Sequence, residues 1–277
     1  MKLTIKPVSN IEECRIVEHL QQQIWLSVPL EVVPDHMLLT FAKEGGQVLL
    51  ARTPTGSPVG FGYAFPGLTR DGRLKLASHQ VGVLPQYQNS GLGYQIKLAQ
   101  REEALARNID LISWTFDPIQ GRNARINLHK LGAVANTYYR ELYGQMRDEI
   151  NQGLPTDRFR ADWWLNSDHV RRRLEAAAAD PWPADCPVVN PIHFSAEGRP
   201  LLPASIELPS TLRCLVQMPG SLQQLKDRYL EIAVEWRLQT RHIFEQAFAR
   251  GYTAIDFLRR DDRNYYLLEK DWSPDGK

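Results

Sequence analysis

The 277 residues carry 33 basic against 32 acidic side chains, a net charge of +1, and are 43% hydrophobic and 23% charged. So even a balance offers no basic surface for nucleic acid or for an anionic membrane, while the hydrophobic share suffices for a full buried core. Cys14, Cys186 and Cys214 are odd in number, far apart and without metal-ligand spacing, which fits a reducing cytosol and no metal. The opening MKLTIKPVSN reads as a short alternating strand rather than a signal peptide, and no apolar run reaches the roughly 18 residues of a membrane span. The expectation is a soluble cytoplasmic protein.

In chain order, residues 2–8 predict a strand, and N-I-E-E from Asn10 predicts a capped helix carrying Val17, Leu20 and Ile24. A second helix is expected from Pro34 and Asp35 to Gly45-Gly46, and QVLLAR and PVGFGYAF form a hairpin across TPTGS. LKLASHQVGVL (74–84) is a strand, 92–107 a helix stopped by Asn108, and DLISWTF a further strand. A short helix is expected over NARINLHKLGA, followed by strands in VANTYYREL and RFRADWWL. The order β-α-α-β-β-β-α-β-α-β-β predicts an α/β fold with a mixed sheet and helices on its faces.

Ser167 can cap an Ala-rich helix, and DPWPADCP (180–187) is a Pro-rich connector. The reading is therefore a first domain over 1–166, a helix and connector over 167–187, and a smaller α/β region over 188–277 with a long helix at about 222–250. ALARNIDLISW (104–114) matches AFARGYTAIDF (247–257), and VGVLP has a counterpart in CLVQMP. Chance likeness of helix ends and a degenerate second half of one fold both account for this.

The loop QNSGLG, residues 88–93, stands where a strand hands over to a helix. Converging backbone N–H groups and the positive helix end favour a phosphate there, and Gly91 and Gly93 remove the Cβ atoms that would block it. No Lys-Ser or Lys-Thr follows, which excludes a P-loop, and the Rossmann pattern is absent. Q-x-x-G-x-G at this place in this element order resembles the GNAT superfamily of acyl-CoA-dependent N-acyltransferases, over about residues 1–165. At finer grain, WTFDPIQGRNARINLHKLGA, YYRELYG and GLPTDRFRADWW resemble a bacterial branch of GNAT proteins, some members of which are associated with N-acylamino acid racemases and act as amino-acid N-succinyltransferases.

The resemblance implies that Gln88, Asn89, Ser90, Gly91, Leu92 and Gly93 hold the pyrophosphate of acetyl-CoA or another acyl-CoA. Val81 and Val83 would pair with the pantetheine arm, Asn123 could bond it too, and an N–H near Val83 would stabilise the oxyanion. The carboxylate expected near position 77 is absent, since Ala77 stands there. Counting back from Val83 in steps of two puts His79 on the same face as Val81, so His79 and Asp117 are the candidate bases. The tyrosine expected four residues before Gly132 is Leu128, which leaves Tyr138, Tyr139 and Tyr143 as acids or as packing. Arg158 and Arg160 suit a substrate carboxylate, or pair with Asp157 and Asp162.

The implied reaction is acyl transfer to a primary amine of a small molecule, such as an amino acid, with no nucleic-acid or membrane partner. A catalytically silent acyl-CoA sensor or subunit and a protein N-acetyltransferase are the alternatives. The C-terminal region could cover the acceptor site, complete a tandem fold or form a homodimer interface.

Overall fold

The computed structural model describes residues 3–25, 32–144, 153–175 and 182–276. Its contacts divide the chain into two compact units, Met1–Trp114 and Thr115–Lys277.

In the first unit, β1 (Thr4–Pro7) leads into α1 (Ile11–Trp25). The Asn10 side chain accepts the Glu13 N–H at 3.0 Å, while the Glu13 carboxylate reaches back to the Ser9 N–H at 2.8 Å. The expected cap is therefore present, with its return bond one residue further out. After α2 (Asp35–Lys43), strands β2 (Gln47–Arg52), β3 (Pro58–Leu68) and β4 (Leu74–Val83) form an antiparallel meander with β1 on its edge. Helix α3 (Leu92–Ala106) then returns the chain to β5 (Leu111–Phe116), parallel to β4, so the sheet is mixed as expected. Asn108, at φ 57°, closes α3 in the left-handed conformation.

The two faces of this sheet carry different helices. Val48, Leu50, Phe61 and Tyr63 are buried with Cys14, Val17 and Leu20 of α1 and Leu38 of α2. Ala51, Val59, Val81 and Val83 lie against Leu92 and Ile96 of α3. Helix α3 sits close because β3 presents glycine to it: a Cβ on Gly62 would come within 2.7 Å of Ile96 Cγ2.

One expectation about faces fails here. The β3–β4 register shifts between Tyr63–Gln80 and Ala64–Ser78, so His79 is an extra residue in a β-bulge. A count in steps of two does not survive a bulge. His79 lies on the opposite face from Val81 and Val83, its ring 5.6 Å from that of Tyr63 and 6.2 Å from that of Phe65.

In the second unit, one turn of α-helix, α4 (Gly121–Ala124), continues as a π-helix over Arg125–Lys130 where an ordinary short helix was expected. The chain turns at Gly132 into β6 (Val134–Tyr139), antiparallel to β7 (Arg158–Trp164). Ser167 caps α5 (Asp168–Glu175), its Oγ accepting the Val170 N–H at 3.2 Å; the Ala-rich stretch beyond lies outside the described residues. A small two-stranded sheet, β8 (His193–Phe194) and β9 (Pro200–Leu201), precedes β10 (Arg213–Met218).

The long helix expected over 222–250 is two helices. Ser221 caps α6 (Leu222–Arg228), Tyr229 leaves the helical region at φ −148°, and α7 (Leu230–Ala249) begins anew. Strand β11 (Tyr252–Arg260) follows a left-handed Gly251, and β12 (Arg263–Lys270) pairs with both β11 and β10. Strand β6 also meets β11, at Ala135–Ala254, so β6 and β7 share one sheet with the C-terminal strands. Phe159, Phe244 and Tyr266 interlock at its centre, with Phe159 and Phe244 edge-to-face at 4.7 Å.

Candidate functional site

Between β4 and α3 the chain makes one 3₁₀ turn, Pro85–Tyr87, and then the exposed stretch Gln88–Gly91. Asn89 (φ 64°) and Gly91 (φ 85°) are both left-handed, and Gly91 is the N-cap of α3. A glycine is favoured at such an angle because other L-residues clash there. The Ser90 hydroxyl donates to Tyr87 O at 2.6 Å, fixing the turn internally. The first helical bond runs from the Gln95 N–H to Gly91 O, so the donors of the first turn before it have no helical acceptor. No acidic side chain occupies that turn, and a Cβ on Gly91 or on Gly93 would meet nothing within 4 Å. The loop is thus an open, positively polarised cradle fitted to a phosphate.

Strand β4 approaches this cradle with one edge free. It pairs with β5 only at Leu76–Ile112 and Ala77–Ser113, although it runs on to Val83. On its other edge the Leu84 N–H bonds to Val59 O at 3.0 Å. Antiparallel strands alternate between residues facing the partner and residues facing away. The β3–β4 register therefore turns the backbone groups of Gly82 toward β3, and those of Val81 and Val83 outward. Val83 O accordingly accepts the Gln88 side chain, at 3.3 Å. The fork between β4 and β5 offers an extended chain outward N–H and C=O groups that no strand pairs, at alternate residues, ending at the phosphate cradle.

Two buried bases, each with its charged form disfavoured, flank the closed end of that fork. His79, in the bulge, has its pKa lowered by burial against its aromatic neighbours. On the α3 face, Lys97 is buried, its Nζ 2.8 Å from Ser78 Oγ and 3.7 Å from the centroid of the Trp114 ring. Burial alone pushes its pKa down to about 7. Sequence reasoning missed Lys97. The available signal was its place at helical spacing with Gly93, Gln100 and Ala104, on the side of α3 that carries buried residues.

The remaining expected site residues lie in the second unit. Asp117 is buried, accepting the Ile119 N–H at 3.0 Å and Arg237 Nη2 at 2.7 Å. The Tyr138 hydroxyl donates to Asp157 at 2.6 Å; burial first, then this carboxylate, raises its pKa far above the ordinary range. Arg241 grips the same Asp157 with two bonds of 2.8 Å. Tyr143 shares a 2.7 Å hydrogen bond with Thr115, and the Arg158 guanidinium lies 5.4 Å from the Tyr143 ring. Arg158 itself is buried and donates to Asp157 O, while Arg160 pairs with Asp162. Asn123 is exposed on α4. Arg237 and Arg241, the cations that hold Asp117 and Asp157, were not singled out in the sequence. Arg237 stands among Ala233, Trp236, Thr240 and Phe244 on the buried face of α7, an anomaly readable as a charge inside an apolar stripe.

No family model matches the chain, and no curated protein matches it. Among solved structures it is similar to the Salmonella typhimurium protein yncA with its cofactor acetyl-CoA, at 17% identity and TM-score 0.49, over 66% of this chain and 100% of the other. It is similar also to an acetyltransferase of the GNAT family from Streptococcus pneumoniae, at 13% identity and TM-score 0.47, over 58% and 98%. Arabidopsis thaliana NAA60 in complex with a bisubstrate analogue matches at 10% identity and TM-score 0.47, over 59% and 98%. These are distant likenesses, and the functional reading rests on the chain's own residues. Among the described residues no helix is long and apolar enough to cross a membrane, and no cluster of three metal-ligating side chains occurs.

Proposed function

We propose that this chain is an acyltransferase of the GNAT kind, carrying an acyl group from acyl-CoA to the primary amine of a small molecule. The observation that carries this reading is the continuity of two features. An open glycine cradle at the N-terminus of α3 suits a pyrophosphate, and the outward backbone groups of Val81 and Val83 suit the two amides of a pantetheine arm. The ligand that joins a diphosphate to an extended diamide is coenzyme A, and its thioester supplies the activated acyl group.

The loop from Gln88 to Gly93 would hold the phosphates, and the Val81 and Val83 backbone would fix the arm in line for attack, which supplies much of the rate. An amino acid is our preferred acceptor and acetyl or succinyl the donor group, as in the branch that the sequence resembles. The test pairs a binding titration of CoA with thiol release from acetyl-CoA and succinyl-CoA against L- and D-amino acids and polyamines. A Gly91→Glu variant sets a carboxylate in the cradle and is expected to weaken CoA binding at least 100-fold, on the order of 3 kcal/mol. Unchanged affinity in that variant would remove the cradle from the binding site. Tight binding without thiol release, and release only with a protein acceptor, would point to the silent subunit and to the protein N-acetyltransferase respectively.

A further inference from the structure

We propose that Lys97, acting through Ser78, is the group that takes up the proton shed by the attacking amine. This rests on the acyltransferase reading. Ala77–Ser113 is the last pair joining β4 to β5, and Ser78 and Trp114 are the first residue on each strand beyond it. Lys97 Nζ touches both, so an amine stands at the closed end of the fork, on the face covered by α3.

The surroundings of that amine are unusual. An ammonium carries three donors, whereas here it meets one hydroxyl oxygen and the face of an indole. No ion pair of the described residues includes Lys97. From β4 the group facing it is Ser78, from β5 Trp114, and from α3 Gln100, whose side-chain oxygen accepts the Ser78 hydroxyl at 3.1 Å. His79 is on the other face, beside Tyr63. With no carboxylate beside it among the described residues and burial disfavouring its charged form, the amine loses its proton from about pH 7 upward and then has a free lone pair. The other expected base, Asp117, is already bonded to a buried guanidinium and a backbone N–H.

The step balances without a further reactant. The acceptor nitrogen bonds to the acyl carbon, and the carbon–sulfur bond breaks with its electron pair on sulfur. The proton shed by nitrogen passes to Ser78 Oγ as the hydroxyl turns its own hydrogen from Gln100 to Lys97. The ammonium so formed returns a proton through the Ser78 hydroxyl to the thiolate, and Lys97 is again neutral. Lys97 is here a relay residue one hydroxyl removed from the chemistry.

The experiment follows amine-dependent release of CoA from acetyl-CoA against pH in wild type, Lys97→Met and Ser78→Ala, with acetyl-CoA affinity and melting temperature measured beside it. In wild type the rate is expected to rise through about pH 7 and then level. Lys97→Met should lose that limb and fall by roughly 100-fold or more, with affinity within about twofold of wild type and no fall in melting temperature. Ser78→Ala should fall in the same direction by a smaller factor. A Lys97→Met enzyme that keeps the limb and a rate within about threefold of wild type would overturn the relay and leave the acyltransferase standing. Wild type that binds acetyl-CoA but releases none with any amine would overturn both. A ¹³C-methyl NMR titration of Lys97 in the wild-type protein gives a readout independent of folding in the variant, and titration near the ordinary value of about 10.4 would also overturn the relay.

Discussion

At the scale of single residues, Lys97 and His79 show what a sequence conceals. In LGYQIKLAQREEAL the lysine reads as one more polar position on a charged helix, because burial depends on how near α3 lies to the sheet. That nearness is set on another element, by Gly60 and Gly62 of β3. His79 was legible as a candidate but not as to its face, since the bulge that turns it is a property of strand pairing. The buried amine also has a consequence for stability. Its pKa is about 7 in the folded chain and about 10.4 when unfolded. Between those values the unfolded chain binds a proton that the folded chain does not, so stability rises with pH through that window and is flat below it. Urea unfolding of wild type and Lys97→Met, compared between pH 7.5 and 9.5, should show wild type gaining about 1 kcal/mol per pH unit on the variant. A constant difference would mean that Lys97 keeps its proton in the fold.

Among the elements, those with local causes were legible and those with distant causes were not. Asn10 and Ser167 each cap a helix by a bond within a few residues, and Asn108 ends one by a left-handed turn. The break at Tyr229 and the π-helix at Arg125–Lys130 carry no such local mark, and a continuous helical period ran through both. The cradle was legible because glycine at a strand-to-helix junction has few other uses. Its position in space depends on α3, and α3 depends on Gly62. Gly62→Val would drive a side chain into Ile96, at a cost of about 1–3 kcal/mol for overpacking. It should also shift the N-terminus of α3 and weaken CoA binding by about tenfold or more, roughly 1.4 kcal/mol. A calorimetric titration with CoA measures this, and a variant that lost stability while binding CoA as wild type does would detach the cradle from the helix register.

Across the whole molecule, each compact unit buries one thiol of its own. Cys14 lies under α1 in the first unit and Cys214 within β10 in the second, both without solvent contact, and burial raises their pKa values to about 11 and about 12. Neither can react until its surroundings open, so the labelling rate of each reports on its own unit. The second unit also contains an interaction whose loss is costly. Arg237→Ala would leave Asp117 a buried carboxylate without its cation, a penalty of roughly 3–5 kcal/mol. If the two units open separately, a pulse of iodoacetamide read by peptide mass spectrometry should find Cys214 labelled many times faster in Arg237→Ala than in wild type, and Cys14 unchanged. Gly62→Val should produce the converse. Equal acceleration at both thiols in either variant would show that the chain unfolds as one cooperative body. The likeness between 104–114 and 247–257, if it is a repeat, would then mark two halves that have lost their independence.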